Sequence, residues 1–432
     1  MKLKISNFAK IGDAVINNSG ITVIAGVNNT GKSTIGKILF ALFDSLNNLA
    51  EKIYEKKKQE IEYTLYTVLR NYIAHGKIHD NSAFWKINVR RLSGTISNGI
   101  FDILDESFDS EIILNAVNTI LSDVLDLEQE VLSDISELIS KKVMEILNLS
   151  DSEIIREIIT MRFNNVFNGQ INNLSNLEQD AYIELINDDK KCEIIFHNNI
   201  CTSFYSDYVF FNDAFYIDNP FIVGEIEDYD GGNRIKEKII QNLKRKSGED
   251  NDGLIKTVIA KEKLAQVYVI LNKAVNGKIT YEDEYILYSS KYKNPIKLSN
   301  LSTGLKSFVL VRLLLEKGCL KEKDTLILDE PEIHLHPEWE HLYAEIIVLL
   351  QKYFDLNITL TTHSSDFLEA IEFYSKKYEI YDKCNFYLAD VEDNTCSYRK
   401  VTDDVNQIYR QMVQPSINLD RMNYEMEDDD VN

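Results

Sequence analysis

Apolar and polar residues alternate from the first position, Met1-Lys2-Leu3-Lys4-Ile5-Ser6-Asn7-Phe8, with the period of two that marks a half-buried strand. The pattern predicts strands at Lys2–Lys10 and Ile21–Ala25, joined by a turn through Asn17-Asn18-Ser19-Gly20. A glycine-bearing loop and a helix from about Ser33 to Leu46 follow. From 47 to 180 the pattern changes: Gly and Pro become sparse and apolar residues recur at helical spacing. Ile112-Ile113-Leu114, Val117, Ile120-Leu121 and Val124-Leu125 form one such series, and Ile135, Leu138-Ile139, Val143 and Ile146-Leu147 another. The series break too often for one long coiled coil, so a helical lobe inserted into an α/β domain is expected.

Strand alternation returns at Tyr182–Ile186, Cys192–His197 and Tyr208–Ile217, with Asn187-Asp188-Asp189 as a turn. A helical stretch from about Gly232 to Asn276 and a hairpin at 278–298 come next. A helix from Ser302, a strand at Thr325–Leu328, a helix near 338–353, and strands at Asn357–Leu360 and near Asn385–Val391 complete the pattern. Strands interleaved with helices at this spacing imply an α/β fold around a mostly parallel, covered sheet. The expected division is one α/β domain in two parts, 1–46 and 181–423, a helical lobe at 47–180 and an acidic tail at 424–432.

Composition narrows the classes. No stretch reaches the about eighteen uninterrupted apolar residues of a membrane span, and the amino terminus lacks an apolar signal core, so no membrane role and a cytoplasmic location are expected. The five cysteines are scattered and make no C-x-x-C pair, which excludes the common zinc spacings and argues against a disulfide framework. A formal net charge of −22 repels a polyanion, so nucleic acid is expected only through a local patch, for which Lys244-Arg245-Lys246 is the most basic run. Glu425, Glu427, Asp428, Asp429 and Asp430 make the terminus strongly acidic, either a solvated end or a docking tail for a basic partner.

Four motifs carry chemistry. Gly26-Val27-Asn28-Asn29-Thr30-Gly31-Lys32-Ser33-Thr34 fits G-x-x-x-x-G-K-[ST] between an apolar strand and a helix. Its glycines let main-chain N–H groups curl around phosphate oxygens, Lys32 brings a point charge to the β- and γ-phosphates, and the Ser33 hydroxyl can ligate Mg²⁺. The following helix aims its positive end at the same anion. In Thr325-Leu326-Ile327-Leu328-Asp329-Glu330-Pro331 a buried strand ends in paired carboxylates, Asp329 suited to hold Mg²⁺ and Glu330 to activate water at the γ-phosphate of ATP. Leu301-Ser302-Thr303-Gly304-Leu305-Lys306-Ser307 opens a helix: Ser302 suits an N-cap, but the glycine two residues on suits a second phosphate-seeking helix end. Last, His363 in Thr361-Thr362-His363-Ser364 follows a strand and can bond a γ-phosphate and sense its loss.

This order of motifs resembles the ABC ATPase superfamily in its SMC/RecF-like branch. The run Leu328-Asp329-Glu330-Pro331-Glu332-Ile333-His334-Leu335-His336-Pro337 and the opening through Ser33 and Thr34 are similar to overcoming-lysogenization-defect (OLD-like) and related stand-alone bacterial ATPases. The resemblance covers roughly residues 1–45 and 280–390. It implies an ABC-type P-loop NTPase sheet with a large inserted helical lobe, and an Mg²⁺-dependent ATPase acting as a head-to-head homodimer or higher homo-oligomer. Each ATP would lie between Gly26–Ser33 of one protomer and Ser302-Thr303-Gly304 of the other. His334, His336 and His341 could form a metal cluster, but the resemblance makes this segment an inter-protomer loop. The glutamine expected after the phosphate-loop helix is not identified, with Gln59 a candidate, and Thr303 and Leu305 depart from the Gly and Gln of transporters. The residues after His363 are too few for the nuclease domain of OLD-like enzymes. The resemblance therefore implies the sensor or scaffold of a bacterial antiviral defence system with a separate effector, a nuclease or toxin. The alternative is a DNA-repair or chromosome-maintenance ATPase that binds DNA directly.

Overall fold

The computed structural model describes residues 1–75, 84–104, 110–124, 128–173, 176–244, 254–282, 284–392 and 395–429. Strands β1 (Lys2–Phe8), β2 (Ile11–Asn17) and β3 (Ile21–Gly26) lead into helix α1 (Lys32–Leu46). Helices α2 (Leu49–Ala74), α3 (Phe84–Leu104), α4 (Ser110–Val124), α5 (Gln129–Leu147) and α6 (Asp151–Phe167) follow. Next come β4 (Ala181–Asn187), β5 (Lys190–His197), β6 (Ile200–Ser206) and β7 (Ala214–Ile217), then α7 (Ile222–Glu225), α8 (Arg234–Lys244) and α9 (Leu254–Ala274). A small sheet of β8 (Lys278–Glu282), β9 (Glu284–Tyr288) and β10 (Ile296–Lys297) precedes α10 (Thr303–Glu316). The chain continues through β11 (Thr325–Asp329), α11 (Pro337–Phe354), β12 (Asn357–Thr362), α12 (Ser365–Lys377), β13 (Cys384–Glu392), β14 (Thr395–Lys400) and α13 (Asn406–Asp429).

The main sheet has 11 strands in the order β6-β5-β4-β1-β2-β14-β13-β3-β12-β11-β7. Its half from β13 to β7 is parallel, while β1, β2, β4, β5 and β6 pair antiparallel, so the sheet is mixed rather than mostly parallel. The reason is local. A two-residue turn at Ala9-Lys10 pairs Phe8 with Ile11 and folds the first strand back as β2, where the alternation pattern had shown one strand. Ala9 reaches that turn with φ 49°, a left-handed conformation, and neither Ala9 nor Lys10 is a residue type that favours a turn. Edge strand β6 and strand β14 also go beyond the expected pattern, because both are only partly buried.

The parallel half owes its uniform burial to helices on its faces, and every residue of β3 is buried. Alpha-helix α1 lies close over the sheet because Gly36 faces it: a Cβ there would stand 2.7 Å from Ile327 Cγ2 and 3.1 Å from the Tyr216 ring. The chain divides into two compact units, Met1–Asn47 with Ile158–Asn432, and Asn48–Glu157. The second unit is helical and buries one face of each periodic series: Ile113, Val117 and Leu121 on α4, and Ile135, Ile139, Val143 and Leu147 on α5, against Ile61 and Leu65 of α2. The boundary between the units falls inside α6, whose Phe163 and Phe167 pack edge-on and tilted against Phe8 and Phe196 of the sheet.

Lys244 closes α8, and its basic neighbours Arg245 and Lys246 lie outside the described residues. Of the acidic terminal group, Glu425, Glu427, Asp428 and Asp429 fall in the last turns of α13, and Asp430 lies outside the described residues. All five cysteines are free thiols. Among the described residues no helix is long and apolar enough to cross a membrane.

Candidate functional site

Strand register brings the motifs to one edge. In the parallel half, Ile24 pairs with Thr361, Ala25 with Thr362, and Thr361 with Asp329, so the carboxyl ends of β3, β12 and β11 finish side by side. This is the edge at which open α/β sheets bind ligands.

The phosphate loop leaves β3 at Gly26, where a Cβ would lie 2.4 Å from the carbonyl oxygen of Ala389 on β13, so only glycine fits between the strands. Val27, Asn28 and Asn29 are exposed, whereas Thr30 turns inward and its hydroxyl donates to the Val27 carbonyl (2.8 Å). Asn29 (φ 66°) and Gly31 (φ 74°) make the left-handed turns of the loop. Lys10 donates to Asn29 Oδ1 (2.8 Å), and the Tyr398 hydroxyl donates to the Gly31 carbonyl (2.8 Å). Thr34 N–H closes the loop onto Gly31 O (3.0 Å).

Lys32 is 4% exposed, and its Nζ donates to the carbonyls of Gly26 and Val27, both at 2.9 Å. It stands 3.7 Å from Glu330 Oε1. Burial lowers its pKa, against the opposing pull of Glu330, Asp329 and Glu332. Ser33 Oγ donates to Asp329 Oδ1 (2.9 Å), as does the Thr361 hydroxyl (2.6 Å), and the Tyr216 hydroxyl donates to Asp329 Oδ2 (2.6 Å). Three hydroxyls thus aim one carboxylate at the serine of the phosphate loop. Ser33 Oγ and Asp329 are hard oxygen donors in contact, the kind of set a magnesium ion takes beside phosphate oxygens. The residues present fit a magnesium nucleotide.

Glu330 sits at φ 49°, a left-handed conformation that a glutamate adopts only where its surroundings enforce it. Its N–H supplies the enforcement by donating to the Thr361 carbonyl (3.2 Å) and hydroxyl (3.0 Å). The side chain then points between Lys32 and His363, whose Nδ1 is 3.5 Å from Glu330 Oε1. Lys32, Ser33, Asp329, Glu330 and His363 therefore meet at one place.

A model of the AAA ATPase domain matches residues 1–368. The chain belongs to the AAA ATPase domain family. It is an ATPase, and it binds nucleotide. No curated protein matches the chain. Among solved structures it is similar to an SMC head bound to the C-winged helix domain of ScpA, at 11% identity and TM-score 0.45 over 94% of this chain and 98% of that one. It is also similar to the SMC head domain from Thermotoga maritima, at 14% identity and TM-score 0.36 over 93% and 98%. A third is the Smc head with an extended coiled coil from Pyrococcus furiosus, bound to the C-terminal domain of ScpA, at 12% and TM-score 0.41 over 96% and 98%.

The remaining motif of this ATPase lies apart from the loop in its own chain's hydrogen bonding. Ser302 is the N-cap residue of α10 and is exposed, Thr303 is half-buried and Gly304 is buried. Contrary to the N-cap expectation, the Ser302 side chain makes no cap hydrogen bond. Gly304 has a packing reason: a Cβ would meet the His334 carbonyl at 2.9 Å and the Trp339 ring at 3.3 Å. The start of α10 is thereby pressed against the segment that follows Glu330.

The three histidines of that segment have separate tasks. The His334 ring stands edge-on to Phe221 (5.7 Å between centroids), and His336 Nδ1 accepts from Glu338 N–H (3.4 Å) as the N-cap of α11. His341 lines a cavity of about 510 Å³ with Asp366, Glu369 and Phe373. Among the described residues no group of three or more His, Cys, Asp or Glu is placed to hold a metal. Gln59 lies on α2, in the helical unit.

Sequence reasoning missed Tyr216, Thr361 as a partner of Asp329, and Glu332. Tyr216 is 0% exposed on β7, 113 residues before Asp329, and belongs to no motif. The one available signal was polar: a tyrosine and two threonines at the ends of otherwise apolar strands. Buried hydroxyls need partners, and at the carboxyl edge of a parallel sheet the partner is the site.

Proposed function

We propose that this ATPase is a nucleotide-driven switch working as a homodimer or higher homo-oligomer. In it Gly26–Thr34 of one protomer and Ser302-Thr303-Gly304 of another enclose one ATP. The observation that carries the reading is the uncapped start of α10. An exposed serine that leaves the orphan N–H groups of its helix uncapped suits an anion delivered from outside the chain. The phosphate loop is likewise open at Val27, Asn28 and Asn29.

In this reading each side chain of the site has a role. Lys32 and the loop N–H groups hold the β- and γ-phosphates, and Ser33 with Asp329 holds Mg²⁺, which when bound neutralises charge on the phosphate oxygens. Glu330 Oε1, between Lys32 and His363, is placed to orient the attacking water and take its proton. His363 Nδ1 lies 3.5 Å from that carboxylate and is 45% exposed, open to a γ-phosphate oxygen. Hydrolysis removes the bridging phosphate and lets the protomers part.

Replacing Glu330→Gln keeps the size of the side chain but not its basicity. Light scattering with ATP should show the variant at twice the protomer mass or more, and Ser302→Arg in the same chain should return it to the monomer. A Glu330→Gln protein that hydrolyses at the parent rate, or stays monomeric in saturating ATP, rules the switch out.

The further reading, from the resemblance of residues 328–337 and the opening segment, is a cytoplasmic sensor or scaffold of antiviral defence that regulates a separate nuclease or toxin. Direct service to DNA in repair or chromosome maintenance ranks second because a net charge of −22 opposes it. DNA affinity that falls steeply with salt would reverse that order.

A further inference from the structure

We infer that Glu332 is a positioning residue for hydrolysis, holding His363 at the reacting phosphate through the main chain. This deepens the proposed function and rests on its reading of His363. Three residues beyond Asp329, Glu332 is 5% exposed, yet it is not part of the magnesium or water chemistry. Its Oε1 accepts from the Thr362 hydroxyl (2.6 Å) and from the N–H of His363 (3.1 Å). The Thr362 hydroxyl accepts in turn from Ser364 N–H (3.0 Å). One buried carboxylate oxygen therefore accepts from two successive residues, and through the Thr362 hydroxyl reaches a third, at the junction where β12 ends and α12 has not begun.

The other side of that junction is anchored independently. Ser364 Oγ donates to Glu340 Oε2 (2.9 Å) and accepts from Phe367 N–H (3.1 Å) as the N-cap of α12. The His363 ring has only the carboxylates of Glu330 (3.5 Å) and Glu332 (3.8 Å) within ion-pair range among the described residues. Its direction is therefore set by the backbone at 363, which Glu332 holds, and by the ring's approach to the same Oε1. The second oxygen, Oε2, is buried without a hydrogen-bond partner among the described residues. Burial also raises the Glu332 pKa, against the hydrogen bonds of Thr362 and His363.

The test is a double-mutant cycle on steady-state ATP hydrolysis. Glu332→Ala should lower kcat roughly ten- to a hundredfold with the KM for ATP little changed, because a displaced histidine misses the transition state and not the nucleotide. Glu332→Gln, which keeps an acceptor oxygen, should recover most of the rate, and Thr362→Val, which leaves only the His363 N–H bond to the carboxylate, should fall between. In a His363→Ala background Glu332→Ala should have no further effect. If Glu332→Ala multiplies the loss by the same factor in both backgrounds, or raises KM and spares kcat, Glu332 does not act through His363. If His363→Ala itself hydrolyses at the parent rate, the reading of His363 fails first and this inference with it. Should Glu332→Ala not fold, Thr362→Val carries the same cycle with His363→Ala, and additivity there is equally fatal.

Discussion

The two ends of α1 hold buried clusters of charge built on opposite plans. At its start Lys32 is surrounded by Asp329, Glu330 and Glu332, one ammonium facing three carboxylates. Roughly 18 Å along the axis, Asp44 is 1% exposed and is held by cations. Arg234 grips it with two hydrogen bonds, Nε at 2.7 Å and Nη2 at 2.8 Å, and Lys238 and Arg162 stand at 3.6 Å. Glu237 pairs with Arg234, and Asp213 with Lys238, so the second cluster closes on itself. In the first, the side-chain charges do not balance and the bonds at Asp329 come from hydroxyls that other ligands can replace. The difference separates a site from a brace. Charge left uncompensated by the chain is what a magnesium nucleotide can complete, while a compensated cluster fixes α1 to α6 and α8.

Breaking the brace should have the larger effect. Asp44→Ala leaves three cations facing a neutral cavity, and loss of one partner in a buried ion cluster costs about 3–5 kcal/mol. The midpoint of urea unfolding should fall accordingly. The wild type carries a matching signature. Burial alone would raise the Asp44 pKa, but the hydrogen bonds and charges of Arg234, then Lys238 and Arg162, bring it from 3.8 to about 2. A carboxylate depressed in the folded state stabilises above its unfolded pKa, and that stabilisation, roughly 2 kcal/mol, is lost as pH falls from about 4 towards 2. In Asp44→Ala this part of the acid limb should be missing. An unfolding midpoint equal to the parent's would mean that the cluster braces nothing.

The site should respond the other way. Lys32→Met keeps the length of the side chain and removes a buried charge whose own pKa is lowered by that burial. Hydrolysis should fall by about a hundred- to a thousandfold, as when one preorganised charge donor is taken from a reacting phosphate. The unfolding midpoint should move far less than in Asp44→Ala. Equal destabilisation by the two variants would erase the distinction between the ends of the helix.

Much of this contrast is legible in the sequence. The phosphate loop, the Asp-Glu pair and His363 each follow an apolar strand, and strand ends in a covered sheet have one place to present polar groups. The helical unit was legible because Ile113, Val117 and Leu121 keep one period on one face. What escaped was set across the sheet. Strand β2 hides behind a turn at Ala9 that uses no turn residue, and the partners of Asp329 come from β7 and β12, whose neighbours are chosen by strand order and not by spacing. Asp44 likewise reads as a lone charged residue in Leu42-Phe43-Asp44-Ser45-Leu46, since its cations arrive from α6 and α8, more than a hundred residues away in the chain.

Tyr216 gives the finest test of the comparison, because it belongs to the open cluster but bonds like a member of the closed one. Its ring is fully buried, edge-on to Phe40 (6.3 Å between centroids), so Tyr216→Phe preserves the packing and deletes one hydroxyl. Burial and the neighbouring Asp329 raise the phenol's pKa well above its ordinary value, which favours the protonated form that donates to Asp329 Oδ2. Without that donor Asp329 keeps its bonds from Ser33 and Thr361 on Oδ1 but is free to turn about them. The expected result is a rise of about tenfold in the Mg²⁺ concentration needed for half-maximal hydrolysis, the usual effect of removing a partner that orients a metal-binding carboxylate. Saturating Mg²⁺ should restore most of the rate. A variant with the parent's Mg²⁺ dependence and a lowered unfolding midpoint would place Tyr216 with the brace, and the boundary between the two clusters would have to be drawn through Asp329 itself.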